Sequence, residues 1–151
     1  VGHNGKPFFI FKFRSMYTDA ENQGPQLSQD GDNRVTPWGA IMRKYRLDEL
    51  PQFFNVLLGN MSVVGPRPHM LRHTEDYSKI LSEYMIRHFV KPGVTGWAQV
   101  HGFRGEIKVK EQLRKRIEYD IWYLENWSVW LDLRIIFLTV YVTIKGDKNA
   151  Y

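Results

Sequence analysis

The sequence predicts an α+β fold, mainly helical with a few short strands, and three observations carry that prediction. Thr36-Pro37 is a helix start, a capping hydroxyl followed by proline at the first helical position. Period-two alternation is confined to one short stretch, "PFFIFKFRSM". Turn signals at Pro92-Gly93 and Gly96 leave room only for a short strand between the helical stretches.

Taken in order, the alternating stretch puts Phe9, Phe11 and Phe13 on one face of a strand and Lys12 with Arg14 on the other. The polar run from Thr18 to Arg34 reads as a surface loop. The first helix is expected from Pro37 to about Arg46. A second follows with Asp48 as N-cap and Gly59 as its C-terminal stop. "SVVGPRP" is extended, because each proline disfavours helical geometry in the residue before it. A third helix spans roughly His69 to Phe89, and a short strand is placed at Trp97 to Val100. A charged helix covers about Glu106 to Asn126, and the apolar stretch Val129 to Ile144 closes the chain. That last stretch carries Asp132 and Arg134 and is short for a membrane span, so a buried or interfacial helix is expected.

Composition bounds the function classes. At 151 residues the chain has the size of one domain with a real core, and no repeat or linker divides it. A net charge of +5 with 15% aromatic residues points to an anionic or greasy partner: nucleic acid, a phosphorylated metabolite or an acidic lipid surface. The absence of cysteine excludes disulfides and thiolate metal sites. No signal peptide is visible, and a chain opening on Val1 is read as a piece of a longer protein.

Chemistry gathers around "RLDELPQFF". Asp48 and Glu49 sit side by side at the start of an apolar segment, in a chain that is basic overall. One reading is structural: Asp48 caps a helix, and Glu49 in its first turn suits the helix dipole. The other starts from the cations around them. Arg43, Lys44 and Arg46 precede the pair, Lys12 and Arg14 share a strand face, and Arg67 is stiffened between two prolines. Guanidinium forks match phosphate oxygens. Carboxylates amid a phosphate-attracting site are consistent if a divalent metal joins them, and magnesium commonly uses one or two carboxylates with substrate phosphates. Positive surroundings would also keep Asp48 ionised, as a carboxylate nucleophile requires.

Four stretches, "KFRSM", "LDELPQFFNVLLGNMSVVGPRP", "KPGVTGWAQVHGFRG" and "DIWYLENWSVWLDLRIIFLT", together cover most of the chain. In that order they resemble the bacterial sugar transferases, the small monotopic superfamily of polyprenyl-phosphate phosphoglycosyl transferases. The resemblance implies a compact membrane-associated catalytic domain at the cytoplasmic face of the bacterial inner membrane. It implies transfer of a sugar-1-phosphate from a UDP-sugar to undecaprenyl phosphate, with release of UMP, as a first membrane step of exopolysaccharide, capsule or O-antigen synthesis. By the same resemblance Asp48 is the nucleophile that becomes a covalent phosphosugar, and Glu49 is its catalytic partner and a Mg2+ ligand. Arg43, Gln52 and Arg67 match positions around the phosphates, as do Lys12 and Arg14. The variants "HGFRGE" and "YLENWS" look most like members that carry glucose-1-phosphate, with galactose next. The hydrophobic membrane element that opens the family pattern is not in this chain.

Other features have plain readings. His69 and His73 have zinc-like spacing but lack the acid and third ligand of a zinc site. Lys108, Lys110, Arg114, Lys115 and Arg116 suit acidic headgroups or a solvated helix face equally. Trp122, Tyr123, Trp127, Trp130 and Tyr141 suit a membrane-interface belt or a core. The rival function is a non-catalytic module binding acidic lipid. Nucleic-acid binding rests on charge and aromatics alone, with no recognition motif.

Overall fold

Thr36 opens the first helix as its position predicts. Its hydroxyl oxygen accepts from the Gly39 amide at 2.9 Å, and Pro37 occupies the first turn. In the computed structural model, which describes residues 2–20, 32–69, 82–105 and 109–145, this helix is α1, Pro37–Lys44. Arg46 then adopts a left-handed backbone with φ 58°, and the chain tightens into a 3-10 turn at Leu47–Glu49. α2 follows at Gln52–Leu57. Gly59 ends it with φ 78° and its amide on the Val56 carbonyl, the left-handed stop that glycine takes without strain.

The expected helix beginning at Asp48 is therefore split. Pro51 has no N–H to give to the Leu47 carbonyl, so the Leu50 amide takes that carbonyl instead, at 3.2 Å, and the turn stays 3-10. Asp48 lies inside this turn rather than at a helix N-cap, and no side chain caps α2.

β1 (Ser62–Val64) and β2 (Gly93–Thr95) pair in parallel, Ser62 opposite Gly93 and Val64 opposite Thr95. Gly93 is needed for close approach, since a Cβ there would meet the Gly65 nitrogen at 2.1 Å. The strand expected at Trp97 to Val100 is instead a short helix, α3 (Trp97–Val100), and the strand lies just before it. Four residues are too few for periodicity to separate the two states. Two longer helices finish the fold: α4, Lys110–Glu125, and α5, Val129–Lys145.

The strand expected over "PFFIFKFRSM" is also corrected. Among the described residues the stretch has no sheet neighbour beyond a bridge between Met16 and Val35. Its backbone is held from the side. The Asn55 amide group accepts from the Phe11 N–H at 3.0 Å and donates to the Phe9 carbonyl at 2.7 Å. The Phe13 amide donates to the Asp48 carbonyl at 2.9 Å. Asn55 is fully buried at 0% exposure, so these bonds answer a requirement to satisfy its polar atoms. The stretch is thereby pinned across the 3-10 turn.

Of the expected third helix, His69 and the end fall on described residues, the end as a 3-10 helix at Ser82–Phe89; residues 70–81 lie outside them. So does most of the polar loop, at 21–31, and so do His73 and Lys108.

Two apolar clusters form the core among the described residues. Val64, Tyr123, Leu131 and Ile135 form one, with Trp97 and Val100 packed against it; Tyr84, Leu113 and Ile117 form the other. α5 buries Leu131 and Ile135 but leaves Trp130 81% and Phe137 73% exposed. Its acid is used locally, Asp132 accepting from the Tyr123 hydroxyl at 2.7 Å and the Trp127 indole at 3.2 Å. Among the described residues no helix is long and apolar enough to cross a membrane.

Candidate active site

Asp48 and Glu49 are both buried, at 8% and 4% exposure, yet their carboxylates live in different surroundings. Glu49 is clamped. Its Oε1 accepts from Arg67 Nη2 at 2.7 Å and Lys12 Nζ at 3.2 Å, and its Oε2 accepts from Arg104 Nη2 at 3.1 Å. Burial pushes its carboxyl up, but Arg67, Arg104 and Lys12 together overcome that and hold it well below the usual glutamate range.

Asp48 is not clamped. Its Oδ1 is buried and has no hydrogen-bond partner among the described residues. The helix-cap reading needs that carboxylate to satisfy backbone N–H groups, and it does not. Burial, then the neighbouring charge of Glu49, raises its pKa above the ordinary aspartate value, while Lys12, Arg104 and Arg43 pull against the rise. The positive surroundings thus oppose the upward shift without reversing it.

Three distant elements meet here for identifiable reasons. Lys12 arrives because Asn55 and the Asp48 carbonyl pin the extended stretch on either side of it. Arg67 comes from the Pro66-Arg67-Pro68 segment just after β1, and Arg104 from the turn after α3. The parallel strand pair brings those two segments to one end of the sheet.

The remaining sequence-predicted residues divide. Arg43 projects from the last turn of α1, where its Nε donates to Ser15 Oγ at 2.9 Å, and its charge is felt at Asp48. Gln52 is the first residue of α2 and 2% exposed, with a buried Oε1 that has no hydrogen-bond partner among the described residues. Arg14 is exposed and makes no contact with the acid pair among the described residues. Its expected strand partnership with Lys12 fails because the chain changes anchors between them. Phe13 is tied to Asp48, whereas the Ser15 carbonyl turns away to accept from the Thr36 amide at 3.0 Å.

Sequence reasoning missed Arg104 as a site residue. It stood in plain view in "HGFRG", but nothing in the spacing says that a residue 55 positions from Glu49 returns to it. Asn55 was missed too, because a polar residue in an apolar helix gives no sign of which backbone it will hold. His69 contacts Tyr84, Arg87 and Arg116, while His73, the other half of the zinc-like spacing, lies outside the described residues. Asp48 Oδ1 is thus without a hydrogen-bond partner among the described residues, while both Glu49 oxygens already accept from cations. The arrangement is a buried, open carboxylate beside a fixed one, ringed by cations: suited to attack on an anionic phosphorus centre.

Relatives with similar sequences include the UDP-glucose:undecaprenyl-phosphate glucose-1-phosphate transferases of Klebsiella pneumoniae, 54% identical over 99% of this chain and 32% of its own length, and Xanthomonas campestris pv. campestris, 52% identical over 99% of this chain and 31% of its own. A third is the UDP-N-acetylgalactosamine-undecaprenyl-phosphate N-acetylgalactosaminephosphotransferase of Aeromonas hydrophila, 46% identical over 97% of this chain and 34% of its own length. The chain thus spans about a third of the length of these relatives. The family pattern of the bacterial sugar transferases matches residues 1–146, and the chain belongs to that family.

Proposed function

We propose that this chain is the catalytic part of a polyprenyl-phosphate hexose-1-phosphate transferase, moving glucose-1-phosphate from UDP-glucose to undecaprenyl phosphate. The observation that carries the reading is the contrast within the acid pair: Glu49 held by three cations, Asp48 Oδ1 buried and unbonded. A carboxylate that needs no backbone partner is free to bond elsewhere.

In this reading Asp48 attacks the sugar-bearing phosphorus of the UDP-sugar. A bond forms between its carboxylate oxygen and that phosphorus, and the bond from phosphorus to the bridging oxygen breaks, with the electron pair leaving on UMP. An oxygen of undecaprenyl phosphate then attacks the same phosphorus, the acyl-phosphate bond breaks, and the Asp48 carboxylate is restored. Arg43, Arg67, Arg104 and Lys12 offset the charge that accumulates on the phosphoryl oxygens. Burial favours the first step, since a carboxylate stripped of water is the stronger nucleophile.

In this reading Asp48, with Glu49 beside it, would hold Mg2+, since carboxylate oxygens are hard donors and magnesium needs only one or two when phosphates and water complete its shell. Bound there, Mg2+ would supply charge neutralisation at the diphosphate. The exposed Trp38, Phe54, Leu57, Trp130 and Phe137 support seating on the cytoplasmic face of the bacterial inner membrane, where a polyprenyl acceptor resides. Glucose is preferred because five of the similar relatives carry it in their names, at 46% to 54% identity, against one N-acetylgalactosamine relative at 46%. The product would begin an exopolysaccharide, capsule or O-antigen chain.

The test is intact-mass measurement on the full-length enzyme given Mg2+ and UDP-glucose without lipid. The expected result is one hexose-phosphate adduct, mapped to Asp48, with UMP released in equal amount. Folded Asp48→Asn protein that still gains the adduct overturns the assignment.

A further inference from the structure

Behind the site lies a second buried polar cluster that none of this chemistry uses. Arg87, Arg116 and Asp120 are 3%, 5% and 2% exposed. Arg87 Nη2 pairs with Asp120 Oδ2 at 2.9 Å, and Arg116 stands one helical turn before Asp120 on α4. Burying these charges is expensive, so what they hold should matter.

Both arginines reach main-chain carbonyls, and the two carbonyls are informative. Arg87 Nη2 donates to the Arg67 carbonyl at 2.6 Å, and Arg116 Nη2 donates to the carbonyl of Gly105, the residue after Arg104. Arg67 and Arg104 are the two guanidiniums on opposite oxygens of Glu49. One buried arginine thus holds the Arg67 carbonyl and the other holds the carbonyl next after Arg104, while Asp120 pairs with Arg87 and feels the charge of Arg116. His69 ties the unit further, with Arg87 Nη1 3.0 Å from its Nδ1 and Arg116 Nη1 3.3 Å from its Nε2. Tyr84, at 0% exposure, sets its hydroxyl 2.8 Å from His69 Nδ1 and its ring beneath Arg87.

We propose that Arg87, Asp120 and Arg116 form a positioning unit that sets the spacing of Arg67 and Arg104 and, through them, the orientation of Glu49 beside Asp48. The proposal rests on the reading of Asp48 and Glu49 as the reacting pair. A guanidinium does this work where an ammonium would not, because its fork reaches a carbonyl and a second partner at once. The unit touches neither carboxylate of the pair among the described contacts, so it acts on the site only through the two loop backbones.

The test measures both the rate and the final stoichiometry of hexose-phosphate labelling in the full-length enzyme, with UDP-glucose and Mg2+ and no lipid. Variants are Arg116→Lys and Arg87→Lys, alone and combined with Arg104→Lys. Lysine keeps the charge opposite Asp120, and final stoichiometry counts the folded sites, so partial misfolding cannot pass for a slow step. Labelling is expected to slow between about 10- and 100-fold with stoichiometry unchanged. Arg116→Lys together with Arg104→Lys should slow it by clearly less than the product of the single effects, because both act through one side chain. An unchanged rate, a loss confined to stoichiometry, or strictly multiplicative effects would each overturn the positioning role. A wild-type enzyme that never labels removes the covalent reading and this proposal together, an outcome distinct from wild type labelling while the variants are indifferent.

Discussion

Glu49→Gln and Asp48→Asn make the same chemical change, acid to amide at nearly constant volume, yet they should move stability in opposite directions. Glu49 pairs with Arg67, Arg104 and Lys12 at once, and its amide would remove the negative charge from all three pairs. Breaking a buried pair from one side typically costs about 3–5 kcal/mol. Lys12 is 41% exposed and adds only a fraction to that, and Arg67 is 21% exposed, so about 2–4 kcal/mol is the expected loss. Asp48 has the reverse balance: its charge is desolvated, its Oδ1 is unbonded and Glu49 repels it. Removing that charge should gain about 1 kcal/mol, the usual yield of relieving a site strained for activity. Tryptophan fluorescence during thermal unfolding of full-length protein reads both, since Trp97 and Trp122 stack with ring centroids 4.8 Å apart against the core. At about 2–4 °C per kcal/mol for a domain of this size, the two variants should melt well apart, on opposite sides of wild type. Equal destabilisation by both would mean that Asp48 is bonded after all, and the inference from its free oxygen would fall.

Acid titration of the same melts checks the linkage. Glu49 has a depressed folded pKa, so its stabilisation is present above the ordinary glutamate range and is lost only as pH falls through the depressed value; the Glu49→Gln deficit should persist into acid. Asp48 has a raised folded pKa, so lowering pH through it protonates the buried group and relieves the strain, and the Asp48→Asn advantage should shrink there first. Gly39→Ala tests the α1 packing: a Cβ would meet the Ser15 carbonyl oxygen at 1.9 Å, and that backbone cannot yield because it also anchors Thr36. A loss of about 3 kcal/mol or more is expected in thermal melts, with reduced labelling because Ser15 Oγ holds Arg43.

Features governed by neighbours in the chain were legible in the sequence. Thr36 and Pro37 started α1, Gly59 stopped α2, and the long charged and apolar helices came close to their expected limits, because caps, turn residues and helical stretches act within a few residues. The acid pair and the proline-flanked arginine were visible for the same reason: their residue types declare their chemistry without a fold. What local pattern could not fix was the partner of each polar group. "PFFIFKFRSM" alternates like a strand yet found its hydrogen bonds on a buried Asn55 side chain, and "WAQV" became a helix while the glycine-bearing segment before it took the strand. Whether Asp48 was a cap or a free carboxylate turned on Pro51 denying one backbone bond and on cations arriving from positions 12, 67 and 104. Those are long-range contacts, set by which surfaces pack together, and only the assembled chain could show that one acid is held fast and its neighbour is not.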